Sequence, residues 1–252
     1  MSSRCSLFSK HEALGSWYAP VMLDPETIFR RARQPSTANN VLSVLEALEP
    51  DSYSVYVSAY LKEGREKFGA DWSYLDILNV LVACSELIQP RAYLEIGVRR
   101  GRSIAMVASM TPKTDLYGFD MWMANYAGME NPGPEFVESE LRKIGASGKI
   151  ELVSGNSHET LPDFFARHPE LKFDLVTVDG DHSDEGARED LLSVLPRVAQ
   201  RGALVFDDVY HPLHPNLHQV WSNALRDSGL RFVSRAYTSL GYGVAVAVRN
   251  CD

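Results

Sequence analysis

The sequence predicts an α/β chain: a doubly wound, seven-stranded, mostly parallel sheet with helices on both faces, a C-terminal antiparallel hairpin and an N-terminal helical cap. Three observations predict it. From residue 92 onward, short apolar runs of strand length alternate with longer stretches of helical periodicity, the pattern of a parallel sheet. The first of these, Tyr93-Leu-Glu-Ile-Gly97-Val-Arg-Arg-Gly101-Arg-Ser103, passes from a strand through a two-glycine turn into a helix. The last two apolar runs are joined only by Ser-Leu-Gly-Tyr, a link too short for a parallel crossover.

Taken in order, residues 1–35 show little periodicity, and Pro20, Pro25 and Pro35 break them into an arm with short helical pieces. Helices are expected over 36–48, 52–68 and 73–88, the last stopped by Pro90. They either cap a ligand pocket or cover one face of the sheet. A strand at 92–96 leads into a helix at 103–110, and a second strand at 116–119 ends in Asp120. The loop from Met121 to Pro134, with Trp122 and Tyr126, reads as adaptable cover over a bound organic molecule or as packing against the N-terminal helices. A helix at 135–144 closed by Gly145 precedes a third strand at 150–153. Gly155, Asn156, Ser157 and His158 then make a turn before a helix at 159–167; these small polar groups suit an adenine edge or simply a helix N-cap. A buried strand at 173–178, a helix at 183–198 stopped by Gly202, a strand at 203–206, a helix at 216–228 and hairpin strands at 232–237 and 243–248 complete the chain. We divide it into a cap, 1–89, and a main domain, 90–252.

The 252 residues carry 25 basic and 33 acidic side chains, a formal charge of −8, without a basic run, so nucleic acid is not an expected partner. Cys5, Cys84 and Cys251 are too far apart in sequence to suggest a disulfide framework or a zinc site. The N-terminus lacks a signal-peptide core, and Asp76, Asn79, Ser85 and Glu86 interrupt the apolar stretch 75–88, so no membrane span is expected. A reducing, cytoplasmic setting follows, and a homo-oligomer is compatible with it.

The glycine turn is not the Gly-x-Gly-x-x-Gly of dinucleotide sites, because Val98 and Arg99 follow Gly97. Glu95 would repel a pyrophosphate and suits a ligand with an amino group. Asp120, ending the second strand, suits two ribose hydroxyls, since an ionised carboxylate only accepts hydrogen bonds. An ordinary strand-to-helix turn and a surface Asp are the plainer readings. Two further strand ends are dense in acid: Val178-Asp179-Gly180-Asp181-His182 and Phe206-Asp207-Asp208-Val209. In an open α/β sheet these ends converge beside the glycine turn, and clustered carboxylates point to a hard divalent cation such as Mg²⁺. An EF-hand fails in detail, with Asp184 where its loop needs Gly and Asp190 where it needs Glu.

Glu95-x-Gly97, Asp120, Val-Asp-Gly-Asp-His and Phe-Asp-Asp-Val together resemble the class I S-adenosylmethionine-dependent methyltransferases. Within them the run is similar to the metal-dependent small-molecule O-methyltransferases, closer to the macrocin-type sugar enzymes than to catechol O-methyltransferase. The resemblance covers about residues 90–250 and implies a Rossmann-like methyltransferase fold, S-adenosylmethionine as cofactor and a small-molecule hydroxyl acceptor, a sugar or another natural product. It implies a metal on Asp179, Asp207 and Asp208. On this reading Glu95, Gly97, Gly101, Ser103, Asp120, Asn156, Ser157, His158 and Asp179 make the cofactor site. The catechol branch carries a catalytic Lys three residues after the first acid; His182 stands there in this chain, and Arg99 replaces the middle Gly of many such motifs. His182 is the expected base, with Asp179 or Asp181 as substitutes and a helix-start His paired with an acid as the plainer role. His211, His214 and His218 either line the acceptor site or lie on the surface. The rival readings are a nicotinamide-dependent oxidoreductase and a non-catalytic S-adenosylmethionine-binding module.

Overall fold

The computed structural model describes residues 10–11, 15–16, 23–69, 72–125, 128, 130–238 and 241–250. Cys5, Cys251, Tyr126 and the Ser239–Leu240 part of the final turn lie outside them, as does most of the expected arm. After a short antiparallel pair, β1 (Lys10–His11) and β2 (Gly15–Ser16), come four helices: α1 (Pro25–Ala32), α2 (Pro35–Ala47), α3 (Ser52–Phe68) and α4 (Ile77–Ile88). The main sheet then alternates with helices as β3 (Ala92–Ile96), α5 (Arg102–Met110), β4 (Asp115–Asp120), α6 (Pro134–Lys143), β5 (Ile150–Ser154), α7 (Ser157–Arg167), β6 (Phe173–Val178), α8 (Asp184–Val194), β7 (Val198–Asp207), α9 (Leu217–Asp227), β8 (Phe232–Tyr237) and β9 (Val244–Arg249).

The seven strands lie in the order β5-β4-β3-β6-β7-β9-β8. β3 pairs in parallel with β4 on one side and β6 on the other, so the chain winds outward in both directions from this point. Ligands bind at the carboxyl ends of strands beside such a switch. β9 inserts antiparallel between β7 and β8, the expected hairpin.

Strand alternation assigns the side chains to two cores. Tyr93, Leu116, Leu175, Val205 and Val246 point to one face, where α1, α2, α4, α5 and α6 cover them. Leu94, Ile96, Phe119, Val176, Val178 and Phe206 point to the other, under α7, α8 and α9. The first core joins residues on both sides of position 90: Phe29, Leu45 and Leu81 pack into it together with Tyr93 and Val205. The N-terminal helices therefore cover a sheet face, and α3 also overhangs the carboxyl ends.

Three boundaries differ from the sequence expectation by more than a residue or two. The helix expected at 73–88 begins at Ile77, because the Asp76 side chain accepts from the Asn79 N–H at 3.0 Å and fixes the N-terminus there. The helix expected at 183–198 ends at Val194, and Leu195–Arg197 form a 3-10 turn around Pro196. The strand expected at 203–206 spans Val198–Asp207 and passes through Gly202, since Val198 already pairs with Phe173. Gly202 is thus no stop: a Cβ there would meet the Asp174 carbonyl oxygen at 2.8 Å, so glycine lets two strands approach.

Candidate active site

The turn after β3 sets the site. Gly97 has φ +89°, and a Cβ on it would lie 1.9 Å from the carbonyl oxygen of Asp179. Only glycine lets this turn lie against the end of β6. Arg99 also has a positive φ, +51°, so it adopts the conformation that glycine usually supplies. Its N–H donates to Asp120 at 2.8 Å, and the Trp122 N–H donates to the other carboxylate oxygen of Asp120 at 2.6 Å. The end of β4 is thereby pinned to the turn. Gly101, at φ +78°, packs against Val137 of α6 and is not among the residues around either cavity below.

Two cavities adjoin at Gly97, Arg99 and Asp179. The smaller, about 290 Å³, is lined by Asp120, Met121, Met123, Gly155, Asn156, Ser157, His158 and Asp181. The larger, about 480 Å³, holds Ser103, Asp179, His182, Asp207 and Asp208 together with side chains from α3, α4 and the β8–β9 turn. Asn156 caps α7 by accepting from the His158 N–H at 3.1 Å, so the N-cap role and the place on the cavity wall coexist. Asp181 accepts from the Ser183 N–H at 2.7 Å and lines the smaller cavity, the one without His182.

Glu95 lies beneath this wall. It is fully buried and accepts hydrogen bonds from the Tyr93 hydroxyl and, at 2.6 Å, from the Ser103 hydroxyl. Burial pushes its carboxyl up to about 8, against the two hydroxyl donors that favour the charged form. The folded chain therefore holds a proton that the unfolded chain releases near the ordinary value of 4.5. Stability should fall as pH rises from about 4.5 to 8, by about 1.4 kcal/mol per unit relative to Glu95→Gln, and the difference should stay constant above 8. Parallel denaturant titrations of the two proteins check this; a flat difference would show that Glu95 is ionised in the folded chain throughout.

The ends of β6 and β7 bring the acids together. His182 Nε2 lies 3.3 Å from Asp179 Oδ1 and 3.8 Å from Asp208 Oδ2. Asp179, His182 and Asp208 each offer a ligand atom, all within 4.8 Å of one another, enough to hold a metal ion. Asp207 lines the same cavity without joining that trio. Burial, with the charges of Asp179 and Asp208, holds Asp207 well above the carboxylate range. The same two causes, burial and the Asp179 charge, raise Asp208 to about 6. Uncompensated acids repel in this way, and a cation between them relieves it. Burial pulls His182 down, but Asp179, Asp208 and Asp181 outweigh it and leave the imidazole above 6.5. The backbone at Asp208 is itself strained, at φ +55°.

The rings of His211 and His214 stand 6.2 and 5.7 Å from that of His182, whereas His218 stacks on Tyr210 at 5.1 Å. Sequence reasoning missed Tyr53, Tyr56, Tyr60 and Tyr242 on the larger cavity. The signal lay in the spacing of the first three along one helix. It also missed Arg100, a buried guanidinium that pairs with Glu130 at 2.7 Å and so ties the loop after β4 to the glycine turn.

Residues 94–209 match the model of a methyltransferase domain family. No curated protein matches the chain significantly. Among solved structures it is similar to the O-methyltransferase TomG of Streptomyces achromogenes, involved in tomaymycin synthesis and bound to S-adenosylmethionine. The two share 21% identity over 81% of this chain and 92% of TomG, with a TM-score of 0.55. It is similar to CalS11, a TDP-rhamnose 3'-O-methyltransferase of calicheamicin biosynthesis, with 18% identity over 92% and 97% of the two chains and a TM-score of 0.53. PaMTH1 of Podospora anserina, solved with S-adenosylhomocysteine, gives 15% identity over 94% and 100% and a TM-score of 0.53. Residues 94–209 thus match a methyltransferase domain, and the chain has the fold of the O-methyltransferases to which it is similar.

Proposed function

We propose that this chain transfers the methyl group of S-adenosylmethionine to a hydroxyl of a small molecule, with a divalent cation at the β6 and β7 ends. One observation carries the reading: two cavities meet at Gly97 and Asp179, one bearing Asp120 and the other His182 with three carboxylates. The residues present fit the methyl donor. Asp120 keeps acceptor capacity beyond the two N–H groups it binds, and suits the ribose hydroxyls. Asn156, Ser157 and His158 line the same cavity as Asp120 and offer small polar groups that suit an adenine edge. Glu95 acts from beneath, by orienting the Ser103 hydroxyl.

The residues also fit a hard cation, because burial and the neighbouring Asp179 charge both hold Asp207 and Asp208 above the carboxylate range, and a positive charge between the acids would offset both. Asp179, Asp207 and Asp208 would hold it. When bound, it would supply Lewis-acid polarisation of the acceptor hydroxyl. Asp179 stands at the junction of the cavities, so it aligns the two reactants, and His182 accepts the acceptor proton. A reducing, cytoplasmic setting belongs to the same reading, supported by the wide spacing of the three cysteines. A second reading has one specific support: His182, with Asp179 and Asp208, is itself within ligand distance, which would make it a metal ligand.

Turnover followed as S-adenosylhomocysteine release should vanish in excess chelator and return with added Mg²⁺. Full activity in chelator would make the three acids direct hydrogen-bond partners of the acceptor instead.

A further inference from the structure

Asp190 is a buried acid on an apolar helix face. It shares the buried side of α8 with Ala187, Leu191 and Val194 and has no exposed surface. A carboxylate is kept in such a place only where polar groups meet it. The groups that reach Asp190 come from the wall of the smaller cavity. His158 Nε2 lies 3.5 Å from its Oδ1. The Ser157 hydroxyl and the Asp181 N–H favour its charged form, against burial, which raises the carboxyl. A Cβ on Gly180 would meet its Oδ2 at 2.9 Å, so the carboxylate also backs onto the turn after β6. Ser157, His158, Gly180 and Asp181 all line the cavity, whereas Asp190 stands behind them. One side chain thus supports two wall segments, the start of α7 and the end of β6.

Without that support the wall would be ambivalent toward a ligand. A hydroxyl can donate or accept, and an amide side chain can turn either end outward. Asn131 lines the same cavity, and its Oδ1 is buried without a hydrogen-bond partner among the described residues. Its amide is able to turn. Ser157 differs, because an ionised carboxylate behind it only accepts. The hydroxyl proton is drawn to Asp190, and the oxygen lone pairs are left to the cavity. His158 adds no acceptor, since Nε2 faces Asp190 and Nδ1 lies 3.6 Å from Glu189 Oε2. Purines differ in what they would meet there: adenine carries an amino donor on its six-membered ring where hypoxanthine, like guanine, carries a carbonyl acceptor.

We infer that Asp190 is a positioning residue for the methyl donor: by accepting the Ser157 hydroxyl proton in a hydrogen bond, it fixes the Ser157 oxygen as an acceptor that selects an aminopurine over an oxopurine. The inference rests on the methyl-transfer reading, with the adenine edge against the start of α7.

The test is calorimetry with S-adenosylhomocysteine and S-inosylhomocysteine, which differ only in amino against oxo at that position. The wild-type protein should bind the inosine compound about 10–100-fold more weakly, the scale of a polar group set against the wrong partner. Asp190→Asn keeps the shape of the side chain, but its amide can donate to the Ser157 oxygen and release the hydroxyl proton toward the ligand. The ratio should then fall to within about threefold, less than one ordinary hydrogen bond, whatever happens to the absolute affinities. Ser157→Ala removes the reading oxygen and should lose the ratio too; Asn156 caps α7, so the helix keeps its N-terminus. A wild-type ratio near one overturns the inference. So does a folded Asp190→Asn protein that weakens both ligands equally, because Asp190 then only packs α8 against the wall. Should Asp190→Asn fail to fold, Ser157→Ala decides: a lost ratio supports the inference and a retained one overturns it. S-adenosylhomocysteine binding with an unaltered ratio sinks this inference alone, whereas no binding of either compound to wild type sinks the methyl-transfer reading with it.

Discussion

His182→Ala is expected to lower kcat by about 10²–10⁴-fold, the range for loss of a general base, while the affinities for S-adenosylmethionine and Mg²⁺ stay close to wild type. The imidazole lies 3.3 Å from Asp179, at the junction of the two cavities, and 3.8 Å from Asp208, which lines the larger one. On the methyl-transfer reading, an acceptor hydroxyl beside this imidazole faces the cavity junction at Gly97. Asp181, the neighbouring acid, faces the smaller cavity and the start of α8 instead, so Asp181→Asn serves as the control and should keep most of the activity. Single-turnover rates with a saturating acceptor, together with calorimetry for both ligands, make the comparison. If Mg²⁺ affinity falls along with kcat, His182 is a metal ligand. A variant that keeps more than about a tenth of kcat, a smaller loss than base removal produces, places the base at Asp179.

Gly97→Ala should be the most damaging substitution in the cofactor turn. A methyl group there would lie 1.9 Å from the Asp179 carbonyl oxygen, a backbone atom that cannot swing aside. The clash should cost roughly 1–3 kcal/mol, and the φ of +89° adds strain of about 1–2 kcal/mol for any residue with a Cβ. Relief requires β3 and β6 to part at their carboxyl ends, where both cavities open, so S-adenosylmethionine binding should be lost along with stability. A melting temperature lower by about 2–4 °C per kcal/mol is the expected size for a chain of this length. Gly101→Ala is the matched control: its methyl would meet the Val137 side chain at 2.8 Å, so it should cost stability and leave cofactor affinity near wild type. Equal effects of the two variants on affinity would show that the turn acts as a whole, with no special role for the Gly97 contact.

The strands were the legible part of the sequence. β3 and β6 fall where the apolar runs 92–96 and 173–178 place them, because both are central, buried on two faces and bounded by turn residues. The hairpin was legible from its short link. Boundaries failed where a single side chain decided the matter: Asp76 capping α4, and Pro196 turning the chain before β7. Gly202 misled because a glycine within a strand looks the same in sequence as a helix stop. Arg99 read as a departure from the glycine pattern, yet the chain holds it at positive φ through its N–H to Asp120, a contact that bridges residues distant in sequence.

The site was legible as chemistry and less so as geometry. Asp120, Asp179, His182, Asp207 and Asp208 stood out as acids and a histidine at strand ends, and strand order brings them to two adjoining cavities. Glu95 was read as a direct ligand group, and its burial under Ser103 could not be foreseen from a strand-end acid alone. The tyrosines of α3 carried a periodic signal, but nothing local to that helix says that it overhangs the carboxyl ends of β3, β6 and β7, strands that follow it in the chain.

Isothermal titration of S-adenosylmethionine into the protein should show one site per chain, weakened by about 1–3 kcal/mol in Asp120→Ala, the scale of a lost hydrogen bond to a charged group. Absence of binding, or binding untouched by Asp120→Ala, would contradict this account of the site.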